Sequence, residues 1–151
     1  MPLATRHASA DESPGLVLWQ VTNRWQAAQR AALKPFGLTH VQFVLLASLT
    51  WLQEDGPITQ KRLAGHAATD PMMTSQVLRA LEARGLVERA AHPDDGRAWA
   101  VSATPEGRAL ANRAVVAVEA CDDAFFAGLG DGVSELVRLL VELRTTYASA
   151  T

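Results

Sequence analysis

The stretch PDDGRAWAV, Pro93 to Val101, places two acids, a glycine and an arginine at one tight turn and follows them with alternating small and apolar residues. That is the pattern of a β-hairpin tip. Such a tip rarely needs an arginine for stability, which makes the residue a candidate for a ligand contact. A cation on a hairpin suits the DNA minor groove, where negative potential is concentrated. Arg97 is then the probe, with a solvated turn residue as the alternative; Asp94, Asp95 and Gly96 shape the turn, and Asp95 either positions the arginine or caps the turn. A second set lies upstream. Met72, Met73, Thr74, Ser75, Gln76 and Arg79 fall in the first turns of a helix. There Ser75 and Gln76 can bond bases or phosphates, and Arg79 suits either target. The two methionines either meet a thymine methyl or pack inward. Arg79 alternatively pairs along the helix with Glu82. Thr59, Gln60 and Lys61 open a shorter helix, where backbone amides and a lysine would meet a phosphate. Arg89 either reaches the DNA backbone or is an exposed strand charge.

Other chemistry finds no support. His7, His40, His66 and His92 are scattered without ligand spacing, and the single cysteine, Cys121, builds neither a disulfide framework nor a structural zinc site. There is no Gly-rich phosphate loop and no Ser-His-Asp arrangement. No enzyme, metal or cofactor is expected. Two aspartates follow Cys121; carboxylates raise a thiol's pKa, so packing is its expected role.

The elements that must position these residues follow from periodicity and caps. The chain has 151 residues, 48% of them hydrophobic, and a net charge of −2. That is one ordinary domain with a real core. No apolar run is long enough to span a bilayer, and the N-terminus lacks the pattern of a secretory signal. A cytoplasmic protein is expected. Cations slightly outnumber acids between 57 and 99, and acids predominate from 100 to 151. Residues 1–13 read as a flexible tail. Leu18, Val21, Trp25, Ala28 and Ala32 recur at helical spacing up to Leu33, and Pro35 and Gly37 end that helix. Thr39-His40-Val41-Gln42 is a capping box opening a helix to about Gln53. Thr59 caps Gln60 to about Ala67, and Asp70-Pro71 opens a helix that ends at Gly85. Leu86 to Ala90 and Ala98 to Ser102 read as the two hairpin strands. Thr104-Pro105-Glu106 opens a long helix to roughly Phe126, glycines at 128, 130 and 132 break the chain, and Val133 to about Tyr147 is the last helix. The first and last helices are apolar on more than one side, and a second subunit would cover them.

Two helices joined by a short turn, the second followed directly by a hairpin, is the winged helix-turn-helix arrangement, which puts a helix in the major groove. Residues 38–110 resemble the MarR family of bacterial transcription regulators. The resemblance rests on LTHVQFVLLASL, GPITQKRLAGHA, LRALEARGLVER and, above all, HPDDGRAWAVSATPEGRAL. It implies a mainly α fold with a small β-hairpin wing. Residues 14–151 would form one domain, with a winged helix-turn-helix lobe at 38–102 and dimerisation helices from both termini at 14–37 and 104–148. It further implies a homodimer on a pseudo-palindromic double-stranded operator, usually acting as a repressor, and release by a small phenolic or anionic effector. Relatives often carry Ser or Thr where Met72 and Met73 stand and Arg where Gln76 stands. The family's effector pocket lies between the dimer helices and the DNA-binding lobe. Trp19, Trp25, His40 and Trp51 are candidates for its lining here, with the core, or the surface for His40, as the alternative. The competing function is a winged-helix protein–protein adaptor that has lost operator binding.

Overall fold

The computed structural model describes residues 1–52, 56–94 and 96–150. Among the described residues, five of its α-helices begin where side chains accept the free amides of a first turn. The Ser13 hydroxyl accepts the Leu16 N–H at 3.3 Å, and Pro14 supplies the first position of α1, Pro14–Leu33. The segment before it, expected to be a loose tail, contains a short 3-10 turn at Ala10–Glu12, held in part by the Ala8 N–H donating to Glu12 at 3.0 Å. After α1 the chain passes through Gly37, whose φ of +66° suits glycine. The capping box then forms: the Thr39 N–H donates to Gln42 Oε1 at 3.1 Å, and the Gln42 N–H returns to Thr39 Oγ1 at 3.2 Å. This opens α2, His40–Leu52.

Thr59 and Asp70 cap the next pair, α3 (Gln60–Ala67) and α4 (Pro71–Ala83). Between them Ala68 takes a left-handed φ of +54°, which turns α3 sharply into α4. Thr74 holds the turn from below. Its hydroxyl lies 2.8 Å from the Asp70 carbonyl and 2.6 Å from the Thr69 hydroxyl. At the far end of α4 the Leu86 N–H reaches back to the Leu81 carbonyl at 3.0 Å, past Gly85 at φ +73°.

The chain then enters β2, Val87–Ala91, which pairs antiparallel with β3, Trp99–Ala103. Residues 58 and 59 add a strand that periodicity does not reveal. This β1, Ile58–Thr59, pairs with Val101 and Ala100, so the sheet order is β1-β3-β2 rather than a bare hairpin. Two residues are too few to show alternation, and only the tertiary pairing defines them. Thr104 caps α5, Pro105–Phe126, by accepting the Gly107 N–H at 3.0 Å, and its own hydroxyl donates to the Gly85 carbonyl at 2.7 Å. One threonine thus ties the start of the long helix to the end of α4.

The core lies where α2, α4, the sheet and α5 meet. Leu33, Leu45, Leu46, Leu49, Leu63, Leu78, Leu81 and Val101 are fully buried there, and α5 contributes Leu110, Ala111, Ala114 and Val118. A 3-10 segment, Ala127–Gly132, leads to α6, Val133–Ala150. None of the described side chains of α6 is buried. Leu139, Leu143 and Tyr147 stand exposed, as do Leu18 and Trp19 on α1.

Candidate nucleic-acid interface

Asp70 sets the first turn of α4 by accepting the Met73 N–H at 2.9 Å. The turn presents Met72, 71% exposed, and Met73, 41% exposed, with Gln76 and Arg79 also exposed and Ser75 half-buried. The choice between outward and inward methionines is therefore decided for Met72, which faces solvent. Thr74 is a correction. It is fully buried and its hydroxyl is committed to the α3–α4 turn, so it holds α4 and does not reach a ligand. Arg79 does not pair with Glu82; its Nε–H lies 3.4 Å from the Ser75 carbonyl, and Glu82 takes Arg89 instead.

Arg89 is neither an exposed strand charge nor an open cation. Its side chain is only 10% exposed. The guanidinium lies 5.1 Å from the Trp99 ring centroid, 3.5 Å from Glu82 Oε1 and 3.4 Å from Gln60 Oε1. Sequence reasoning missed Trp99 and Glu82 in this cluster. The available signal was a large aromatic on the exposed face of a strand directly after the turn. Lys61 is exposed at the start of α3, and Thr59 is engaged as its cap. In the wing the His92 N–H donates to the Ala98 carbonyl at 2.9 Å, closing the hairpin, and the Asp94 N–H donates to His92 Nδ1 at 3.1 Å. Gly96 and Arg97 are exposed at the tip, and Asp95 lies outside the described residues.

The four residues proposed for an effector pocket do not converge. Trp25 and His40 meet edge to face, ring centroids 4.9 Å apart, and line a cavity of about 490 Å³ with Arg30, Val44, Ala67 and Met73. Trp51, 78% exposed, lines a separate groove between α2 and α5. Trp19 is 68% exposed on the outer face of α1 and lines neither. Helical spacing placed these aromatics on helices without showing which faces meet. Asp122, Gln29 and Arg30 were missed. The Asp122 carboxylate accepts Trp25 Nε1–H at 2.8 Å and Gln29 Nε2–H at 2.7 Å, tying α1 to α5 beside the cavity.

His40 titrates below its ordinary value. Burial is the largest cause, the Arg30 charge adds to it, and Asp122 opposes both. A histidine whose folded pKa is depressed binds fewer protons folded than unfolded, so stability rises with pH across that interval. Acidification from pH 7.5 through 6.5 and below is expected to lower the melting temperature. His40→Gln should flatten that slope, measured by thermal melts at matched ionic strength. An unchanged slope in the variant would assign the dependence elsewhere.

Among the described residues no group of His, Cys, Asp and Glu could hold a metal ion, and no single helix is long and apolar enough to cross a membrane. Comparison with known proteins matches residues 38–99 to the MarR family. An uncharacterized HTH-type transcriptional regulator of Bacillus subtilis, YdcH, is 43% identical over 82% of this chain and 84% of its own. The HTH-type transcriptional repressor Rv2887 of Mycobacterium tuberculosis is 40% identical over 80% of this chain and 85% of its own. The structure of Rv2887 in complex with salicylic acid superposes with a TM-score of 0.69 at 36% identity, covering 89% of this chain and 99% of that one. CouR from Rhodococcus jostii, bound to p-coumaroyl-CoA, superposes with a TM-score of 0.78 at 27% identity over 90% of this chain and 94% of that one. With the winged helix-turn-helix in place and relatives this similar over most of their length, the chain belongs to the MarR family and is a transcriptional regulator.

Proposed function

We propose that the protein is a homodimeric cytoplasmic repressor that binds a pseudo-palindromic operator and is released by a small phenolic or anionic effector. The observation that carries this reading is the solvent-facing side of α4, with Met72, Gln76 and Arg79 exposed beside a sheet whose tip ends in Arg97. In it α4 enters the major groove, Arg97 the minor groove, and Lys61 meets a phosphate. The exposed apolar residues of α1 and α6 support pairing of two chains. Residues 14–37 and 104–148 then serve as the dimerisation helices around the lobe at 38–102. The cavity beside Trp25 and His40 supports the effector role, since Arg30 offers an anion a counter-charge within apolar walls.

A gel shift with the protein's own upstream DNA tests the reading. A specific shift is expected at 50 mM salt, with affinity falling about 10³-fold or more by 200 mM as phosphate contacts release counterions. Absence of any shift at low salt would leave the winged-helix adaptor as the better account.

A further inference from the structure

From the position of Arg89 we infer that it is a positioning residue, a clamp that holds the wing at a set angle to the recognition helix α4, and not itself a DNA contact. The inference rests on the operator-binding reading above. From strand β2 its guanidinium touches three other elements at once: Gln60 at the start of α3, Glu82 near the end of α4, and the Trp99 ring on the neighbouring strand β3. Trp99 is the first residue of β3, immediately after the tip that carries Arg97. Arg89 and Trp99 sit on adjacent strands of the hairpin, so the stack fixes the guanidinium on the wing, and any rocking of the hairpin must break its pair with Glu82 or its bond to Gln60. The side chain is 10% exposed, its Nε is buried without a hydrogen-bond partner, and Glu82 offsets its charge. These features remove it from direct phosphate work. A planar, delocalised cation is needed for this geometry, because lysine offers neither the flat face that stacks on an aromatic nor a fork of donors for two acceptors.

The sign of one substitution separates the clamp from a direct contact. Removing an acid beside DNA ordinarily tightens binding, because it removes repulsion of the phosphates. The clamp makes the opposite prediction for Glu82→Ala, a roughly tenfold loss of affinity. Trp99→Ala should give a similar loss, and Arg89→Ala and Arg89→Lys should match each other. Glu82 and Trp99 are both substantially exposed, 41% for the Glu82 side chain and 51% for Trp99, so these two variants test the idea even if Arg89→Ala folds poorly.

The probe is a duplex selected by the wild-type protein from a random-sequence pool. Affinity is measured across a salt series, and the complex is footprinted at saturation with hydroxyl radicals, alongside methylation protection of guanines in the major groove. In the clamp variants, major-groove protection should persist, minor-groove protection flanking it should fade, and the salt slope should stay within about half a unit of wild type. A direct phosphate contact would instead show rescue by Arg89→Lys, a slope reduced by about two on Arg89→Ala (about one per subunit of the dimer), and equal or tighter binding by Glu82→Ala. Any of those three results overturns the clamp. If the wild-type protein selects no duplex, the operator-binding reading itself falls. If it selects one and every variant footprints as wild type, only the clamp falls.

Discussion

Gly107→Ala is expected to destabilise the protein more than any other single methyl added to its glycines. Gly107 lies in the first turn of α5, where the helix presses against the end of the α4 connection. A Cβ there would overlap the Leu86 carbonyl oxygen and come within 3.0 Å of its carbonyl carbon and 3.3 Å of Leu46 Cδ1. Neither neighbour can yield easily. The Leu86 oxygen already accepts the Thr104 N–H at 3.1 Å, and Leu46 is fully buried in the core. Relief would require moving α5 away from the base of the winged lobe, which loosens the Thr104 cap and its bond to Gly85 together. Forced overpacking costs about 1–3 kcal/mol and occasionally more; a clash with backbone belongs at the upper end. At about 2–4 °C per kcal/mol for a chain of this size, the melting temperature should fall on the order of 10 °C. Gly65→Ala is the control. It stands exposed within α3 with nothing within 4 Å of its added methyl, so it should be neutral or stabilise by up to about 1 kcal/mol. Equal melting temperatures for the two variants would show that α5 does not seat against Leu86 as closely as described.

Arg97→Ala should have the largest effect on DNA affinity. Arg97 is exposed at the wing tip and lies outside the buried cluster, so the fold should survive its loss. In the proposed complex it enters a narrow groove where the surrounding phosphates strengthen its attraction and water is displaced. Hydrogen bonds to a charged group are worth about 1.5–3 kcal/mol, which corresponds to a roughly 10- to 100-fold loss of affinity for each equivalent arginine removed. A dimer would lose two. Competition gel shifts at fixed salt, with circular dichroism as the check on folding, measure this directly. Affinity within twofold of wild type would remove the wing from the interface and leave recognition to α4 alone.

The caps and breaks were legible in the sequence because each is a local event. The Thr39–Gln42 box, the Thr59, Asp70 and Thr104 caps and the Gly85 stop all involve groups within a few residues, so chain order alone determines them. The same is true of a wing with an arginine at its tip and of a helix opening Pro71-Met72-Met73. Which way side chains point was not legible. Thr74 and Met72 occupy the same helix turn, yet one is fully buried and the other 71% exposed, because the α3–α4 turn folds under one face only. The sequence left Arg89 as either a DNA-backbone contact or an exposed strand charge; its neighbours Trp99, Glu82 and Gln60 come from positions 7 to 29 residues away in the chain. Asp122 meets Trp25 and Gln29 across 97 and 93 residues. Short-range hydrogen bonds and backbone sterics thus specified the elements and the family of fold. The partners of buried charges, the third strand and the parting of Trp19, Trp25 and Trp51 onto different surfaces were settled only by packing. Those contacts depend on which helix faces meet, and that is a property of the assembled core.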